Sequence, residues 1–146
     1  MIAHTIQLAL APVFVLVAIG NIMNILSTRL GRIVDRARQL QKMHGDTSGL
    51  EHDLVVREMR GVDRRIQLNS RAIHFLVMAG LSIGTTVAIL FVEEVFNYPL
   101  ERVAAVFFII AIALLMWGLW LFLLETRVAA DLLRIPEDYL EQHRDI

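Results

Sequence analysis

Three polar side chains lie at helical spacing inside the first long apolar stretch. Asn21, Asn24 and Thr28 are three and four residues apart, so a helix places them on one face. Amides are costly in lipid and should therefore face protein or water. One interpretation is a hydrated path or an ion-coordinating site within an oligomer. The other, which we favour, is hydrogen bonding between helices, typically worth about 0.6 kcal/mol per contact.

A ladder of small residues occurs in the second apolar stretch. Gly80, Gly84 and Ala88 recur every four residues. Small side chains allow another helix to approach closely, which is how helices associate in lipid. The ladder predicts either a self-association face or packing against another helix of the same chain, and the two interpretations are equally supported.

The chain shows no catalytic, cofactor or metal site. The apolar stretches contain no Asp, Glu, Lys or Arg, so no acid–base pair is visible inside them. There is no cysteine, which excludes thiolate metal sites and a cysteine nucleophile. His44 and His52 could approach each other, but two histidines without a carboxylate make a poor metal site. Glu93, Glu94 and Glu101 form either a cation-attracting mouth or a solvated turn.

Three stretches have the length and composition of membrane spans. Of the 146 residues 56% are hydrophobic, and the mean hydropathy is +0.57. Residues 6–26, 72–92 and 103–124 carry no charge, and about 20 helical residues cross a bilayer. Helices are expected because a lone segment in lipid must satisfy its own backbone. We predict transmembrane helices at about 6–28, 72–92 and 103–124.

The basic residues give this arrangement an orientation. Ten of the fourteen Lys and Arg lie within residues 29–71, whereas the link 93–102 holds one basic and three acidic residues. Basic loops stay in the cytoplasm. We therefore predict an N-terminus outside, a cytoplasmic segment 29–71, an external link 93–102 and a cytoplasmic tail 125–146. The net charge of 29–71 is +4 (ten basic, six acidic); topology explains it, so nucleic acid is not an expected partner.

The segment 29–71 is predicted to be an antiparallel helical hairpin. Its two halves carry apolar residues at spacings of three and four, which is the coiled-coil period, and they mirror each other about the turn-rich residues 45–49. The predicted seam consists of Leu30, Ile33, Ala37, Leu40, Val55, Met59, Val62 and Ile66. The alternative is a pair of amphipathic helices lying on the membrane surface. We favour the hairpin because surface helices have no need for mirrored spacing.

Several residues then match a known family. The run Gln7-Leu-Ala-Leu-Ala-Pro-Val-Phe14, followed by Ala18-Ile19-Gly20, Asn24, Thr28-Arg29-Leu30 and Arg32-Ile33-Val34-Asp35-Arg36, resembles the bacterial membrane family catalogued as domain of unknown function 2721. Arg64-Arg65-Ile66, Asn69 and Ala72-Ile73 resemble its second block. The resemblance covers most of the chain. It implies a bacterial inner-membrane protein with a single three-span module, and it implies no activity.

The charged positions of those motifs gather where the first two spans leave the membrane. Three interpretations stay open for them: a structural junction, a site for anionic lipid headgroups or a surface for a protein partner. The residues of the predicted headgroup or partner surface are Arg29, Arg32, Asp35, Arg36, Arg64 and Arg65. Arg36 and Glu58 are placed to pair across the seam, worth about 0.5 kcal/mol if exposed.

The sequence as a whole predicts an all-α integral membrane protein. Its expected function is non-enzymatic: a self-associating inner-membrane protein that presents a basic helical hairpin to the cytoplasm, with lipid and further copies of itself as partners. Two alternatives stay open, an oligomeric channel or small-solute pore and an accessory subunit of a larger membrane complex.

Overall fold

The structure, a computed structural model, describes residues 2–133, and over that range it consists of three helices. Helix α1 is Ile2–Asp46, α2 is Leu50–Phe96 and α3 is Glu101–Leu132. All three are long and apolar enough to cross a membrane. The central helix α2 packs against both α1 and α3.

Each of the first two predicted spans continues into the predicted hairpin without a break. The parts of α1 and α2 beyond the spans, residues 29–46 and 50–71, are called the arms. The end of the spans that carries them is the arm end, and the opposite end, where residues 97–100 connect α2 to α3, is the link end. The arm of α1 extends about 25 Å at 1.5 Å per residue.

Two backbone positions set the turns between helices. Gly49, which precedes α2, has φ 71°, a conformation that glycine adopts without a Cβ clash. At the other end of α2, Asn97 is the left-handed C-cap with φ 53°, and asparagine is the residue that tolerates this conformation best after glycine. The turn at Gly49 makes α1 and α2 antiparallel, and the turn at Asn97 reverses the chain again between α2 and α3.

The core of the spans is narrow and lies along α2. Its buried members are Ile19, Leu26, Ala72, Leu76, Ala79, Ile83, Ala111 and Leu121. Most other apolar side chains point outward, including Phe14, Leu81 and Ile109, whose exposed fractions are 70%, 62% and 67%. An apolar exterior around a thin core is what lipid contact requires of a small helical membrane protein.

The arms pack on each other through the predicted seam. Ile33, Leu40, Val55 and Val62 form one buried cluster, against which Ala37, Met59 and Ile66 pack, and Leu30 is half-buried. The antiparallel register also brings Arg36 opposite Glu58, with 2.7 Å between Arg36 Nη2 and Glu58 Oε1. The arms therefore have an apolar core of their own.

The helices continue beyond the predicted spans at the link and at the tail. Of the predicted link 93–102, only residues 97–100 lie outside the helices, because α2 continues through Glu93 and Glu94 and α3 begins at Glu101. The predicted tail 125–146 begins as helix, since α3 continues to Leu132. The remainder of that tail, residues 134–146, lies outside the described residues.

Candidate functional site: an ionic junction at the arm end

A buried carboxylate joins the three helices at the arm end. Glu125 of α3 has no exposed surface. Its Oε2 accepts a 2.7 Å hydrogen bond from Arg29 Nη2 of α1, and its Oε1 accepts a 2.9 Å bond from Arg65 Nε of α2. We call these three residues the ionic junction. Because each helix contributes one residue, the junction fixes how α3 sits against the bases of both arms.

The sequence of α3 places Glu125 on the face that packs against the rest of the chain. Its buried residues Ala111, Gly118, Leu121, Glu125 and Ala129 are spaced by seven, three, four and four residues, which is one helical face. Gly118 permits the close approach, since a Cβ there would lie 3.2 Å from Leu76 Cγ. Helix α3 is thus drawn against α2, and the carboxylate that follows its apolar stretch is buried with it.

Arg29 also contacts a second residue of α3, Phe122. Its guanidinium carbon lies 5.3 Å from the centroid of the Phe122 ring, a cation–π contact. Phe122 and Glu125 are three residues apart on α3 and therefore neighbours on its surface. Together they fix the position of Arg29 while 34% of its side chain remains exposed.

The junction carries more positive than negative charge. Two guanidinium groups and one carboxylate sum to +1 (two minus one). Each carboxylate oxygen of Glu125 accepts one hydrogen bond from an arginine. Each guanidinium has five N–H donors, and each donates one hydrogen bond to Glu125. The chemistry that such a group offers is the binding of an anion.

A buried amide lies one helical turn from the junction. Asn69, four residues after Arg65 on α2, has no exposed surface, and neither its Oδ1 nor its Nδ2 bonds to another described residue. An unpaired buried amide is costly. Asn69 therefore lowers the stability of this part of the core.

The remaining residues of the predicted headgroup or partner surface are exposed. Arg32, Asp35 and Arg64 face outward and bond to no other described residue, whereas Arg36 bonds to Glu58. The structure thus divides the predicted set: Arg29 and Arg65 turn toward Glu125, and the others line the arms.

The predicted polar path lies on the outside of the single chain. Asn21, Asn24 and Thr28 are all exposed on the face of α1 that points away from α2. Thr28 Oγ1 donates to the backbone carbonyl of Asn24, and the two amide side chains bond to no other described residue. Gly20 lies on the same face, with open space around its Cβ position.

The small-residue ladder of α2 is split between two environments. Gly80 is half-buried, and a Cβ there would lie 3.7 Å from Leu16 Cδ1 of α1. Gly84 and Ala88 are exposed, and open space surrounds the Cβ position of Gly84. Gly80 therefore faces α1 of the same chain at ordinary contact distance, whereas the other two positions are available to another molecule.

The histidine and acidic groups lie at opposite ends. At the tip of the arms the ring centroids of His44 and His52 are 4.5 Å apart. At the link end Thr5 Oγ1 donates a 2.8 Å hydrogen bond to Glu94 Oε2, and this bond is the main reason that the pKa of Glu94 is lowered. Across residues 2–133, no group of three or more His, Cys, Asp or Glu side chains is arranged to hold a metal ion.

The sequence analysis missed Glu125. It is the first charged residue after the third apolar stretch and falls within the predicted tail 125–146. A usable signal existed, because Glu125 lies four residues after Leu121 and seven after Gly118, in register with the small residues of α3. Its partners could not be assigned, since ten basic residues in 29–71 were candidates.

Comparison with known proteins identifies the family and nothing further. No curated protein and no solved structure matches the chain. Residues 9–135 match the family described as "Protein of unknown function (DUF2721)". This range includes all three residues of the ionic junction and most of every helix. The chain therefore belongs to that family of proteins of unknown function.

Proposed function

We propose that the protein is a self-associating membrane protein that presents its paired arms to the cytoplasm. The observation that carries this proposal is the exposure of Asn21 and Asn24 on the outer face of α1, beside Gly20. This surface, Gly20 with Asn21 and Asn24, is called the polar face of α1. Its occupant in the proposal is a second copy of the same chain.

The depth of these amides makes exposure to lipid unfavourable. Asn21 precedes Arg29 by eight residues, or about 12 Å along the helix axis. If Arg29 lies at headgroup level, Asn21 reaches the hydrocarbon. An amide there needs a hydrogen-bonding partner, and a second α1 supplies both donors and acceptors. Gly20 allows the two backbones to approach closely.

The exposed part of the α2 ladder is a weaker candidate for the same contact. Gly84 and Ala88 are also open, but neither carries a polar side chain that lipid would penalise. Gly80 faces Leu16 of α1 in the same chain. The polar face of α1 therefore has the stronger physical reason to be covered, and Gly84 provides a matched comparison.

Self-association is tested by single-molecule photobleaching or by native mass spectrometry of the full chain in lipid nanodiscs. We expect oligomers for the wild type, and an at least tenfold weaker association for Asn21→Leu with Asn24→Leu, and for Gly20→Leu. Gly84→Leu, the same substitution in an equally open place on α2, should leave association within twofold. A wild-type monomer, or variants of α1 that associate normally, would refute the proposal.

The proposed orientation has a separate test. The chain has no cysteine, so single substitutions report cleanly. Ser48→Cys at the arm tip should react with a membrane-impermeant maleimide only after bacterial cells are opened, whereas Tyr98→Cys in the link should react in intact cells. The reverse pattern would place the arms outside and contradict the cytoplasmic assignment.

A pore is the second candidate function, and the same amides favour it. If α1 helices surround an axis, Asn21, Asn24 and Thr28 line the interior with amides and a hydroxyl. Flux of K⁺ or a small solute through liposomes holding assembled protein supports a pore. Assembled protein that passes neither leaves the oligomer as a scaffold for the arms.

A further inference from the structure

A cationic surface at the arm end extends outward from the ionic junction. Arg29 and Arg65 are partly exposed, by 34% and 21% of their side chains. Arg32 lies three residues beyond Arg29 on the same helix, which makes it a surface neighbour, and it is exposed without a partner among the described residues. The charge of these three groups with Glu125 is +2 (three minus one).

The depth of this surface corresponds to the headgroup layer. Arg29 follows the uncharged residues 6–28, and Glu125 follows the uncharged residues 103–124. Trp117 and Trp120 are exposed on α3, eight and five residues before Glu125. Tryptophan favours the membrane interface. An anionic group that meets these arginines at the depth of the headgroup layer is part of a lipid.

The ionic junction also holds the guanidinium N–H donors of Arg29 and Arg65 in place before a ligand binds. Free arginine side chains lose rotamer freedom when they bind an anion. Here Glu125 holds Arg29 and Arg65 by hydrogen bonds, and Phe122 covers one face of Arg29. Guanidinium groups fixed in this way match the oxygens of a phosphate.

We propose that Arg29, Arg32 and Arg65 form a binding site for the phosphate group of an anionic membrane lipid, with Glu125 as its positioning residue. The site does not depend on self-association, since its residues all come from one chain. It predicts a preference for anionic lipid over zwitterionic lipid that is localised to these three arginines and absent from other basic residues of the arms.

The test measures lipid binding to the full chain in a neutral detergent at 150 mM salt by native mass spectrometry. The probes are phosphatidylglycerol and phosphatidylcholine with identical acyl chains. We expect at least fivefold tighter binding of phosphatidylglycerol to the wild type. Arg29→Gln and Arg32→Gln should each remove most of that preference. Arg32→Gln is the decisive variant because Arg32 is exposed and bonds to no other described residue, so its loss should leave the fold intact.

Arg38→Gln is the matched control. Arg38 is exposed on the same arm, about 9 Å further along the helix from Arg32, and its loss should change the preference by less than twofold. Equal binding of the two lipids, or an equal loss in Arg38→Gln and Arg32→Gln, would overturn the proposal. Displacement of phosphatidylglycerol by millimolar inorganic phosphate would assign the site to free phosphate and likewise overturn the lipid assignment.

Discussion

Arg65 and Glu125 lie sixty positions apart in the chain, and their side chains meet through a 2.9 Å hydrogen bond from Arg65 Nε to Glu125 Oε1. The bond connects the base of the α2 arm to the end of the third apolar stretch. A carboxylate with no exposed surface is stable there only because two guanidinium groups satisfy it. The contact therefore makes the arms and α3 one structural unit.

Removing the charge of Glu125 is expected to destabilise the protein strongly. In Glu125→Gln the two arginines lose their counter-charge, at a cost of about 2–4 kcal/mol, somewhat below that of a fully buried pair because both arginines are partly exposed. Unfolding in mixed SDS micelles measures the change. The control Glu58→Gln breaks the exposed pair with Arg36 and should cost about 0.5 kcal/mol or less. Equal losses for the two variants would show that the junction contributes no more than a surface pair.

Enlarging Gly118 is expected to separate α3 from α2. Leu76 is fully buried and lies 3.2 Å from the position of an added Cβ, so Gly118→Leu forces a shift that costs about 1–3 kcal/mol. Gly31→Leu places the same side chain in open space and should gain up to about 1 kcal/mol from helix propensity. The difference in unfolding free energy between the two variants isolates the clash. If they unfold alike, the close approach at Gly118 is not a constraint.

Replacing Asn69 by an apolar residue of similar size is expected to stabilise the fold. Asn69→Leu removes a buried amide that bonds to no other residue within 2–133, and it should raise the unfolding free energy by about 1 kcal/mol. Gln67→Leu, an exposed amide on the same helix, should change it by less than about 0.5 kcal/mol. A clear loss of stability in Asn69→Leu would mean that the amide makes a favourable bond in the membrane.

The stability of the link end should fall in acid. The pKa of Glu94 is lowered from its ordinary value of 4.5, chiefly by the hydrogen bond from Thr5. A carboxyl group with a lowered folded pKa contributes stability above the unfolded value, and that contribution is lost as the pH falls through the lowered pKa. Thr5→Val should therefore raise the pKa of Glu94, as measured by NMR titration of labelled glutamate in micelles.

Thr85→Val is the control for that titration. Its hydroxyl bonds the Leu81 carbonyl of its own helix, so the pKa of Glu94 should not change. An unaltered titration in Thr5→Val would show that the bond to Thr5 does not set the pKa.

The sequence predicts the helices and the pairing of the arms because both follow from short-range regularities. Uncharged stretches of lipid length mark the spans, and mirrored spacing of Ile33, Leu40, Val55 and Val62 marks a two-helix contact. The continuity of span and arm also follows, since the apolar register runs through residues 26–33 without a break. Helix α3 extends past its apolar stretch to Leu132, and Glu125 and Ala129 are buried in that extension.

The ionic junction is harder to predict because it depends on the placement of α3. Periodicity identifies which face of α3 is buried, but not which of the ten basic residues in 29–71 lies opposite. A similar limit applies to Asn21 and Asn24. Their common face follows from spacing, whereas its direction, away from α2, depends on which neighbouring residues fill the core.

The unbroken helices give the arms a mechanical property. With 45 and 47 residues, α1 and α2 have no hinge between the part in the span and the part beyond it. A tilt of a span by roughly 5° swings an arm tip about 25 Å away by roughly 2 Å, from rigid-lever geometry at the helical rise. If the apolar stretches cross a bilayer, changes in its thickness or lateral pressure would therefore become displacements at the turn around Gly49.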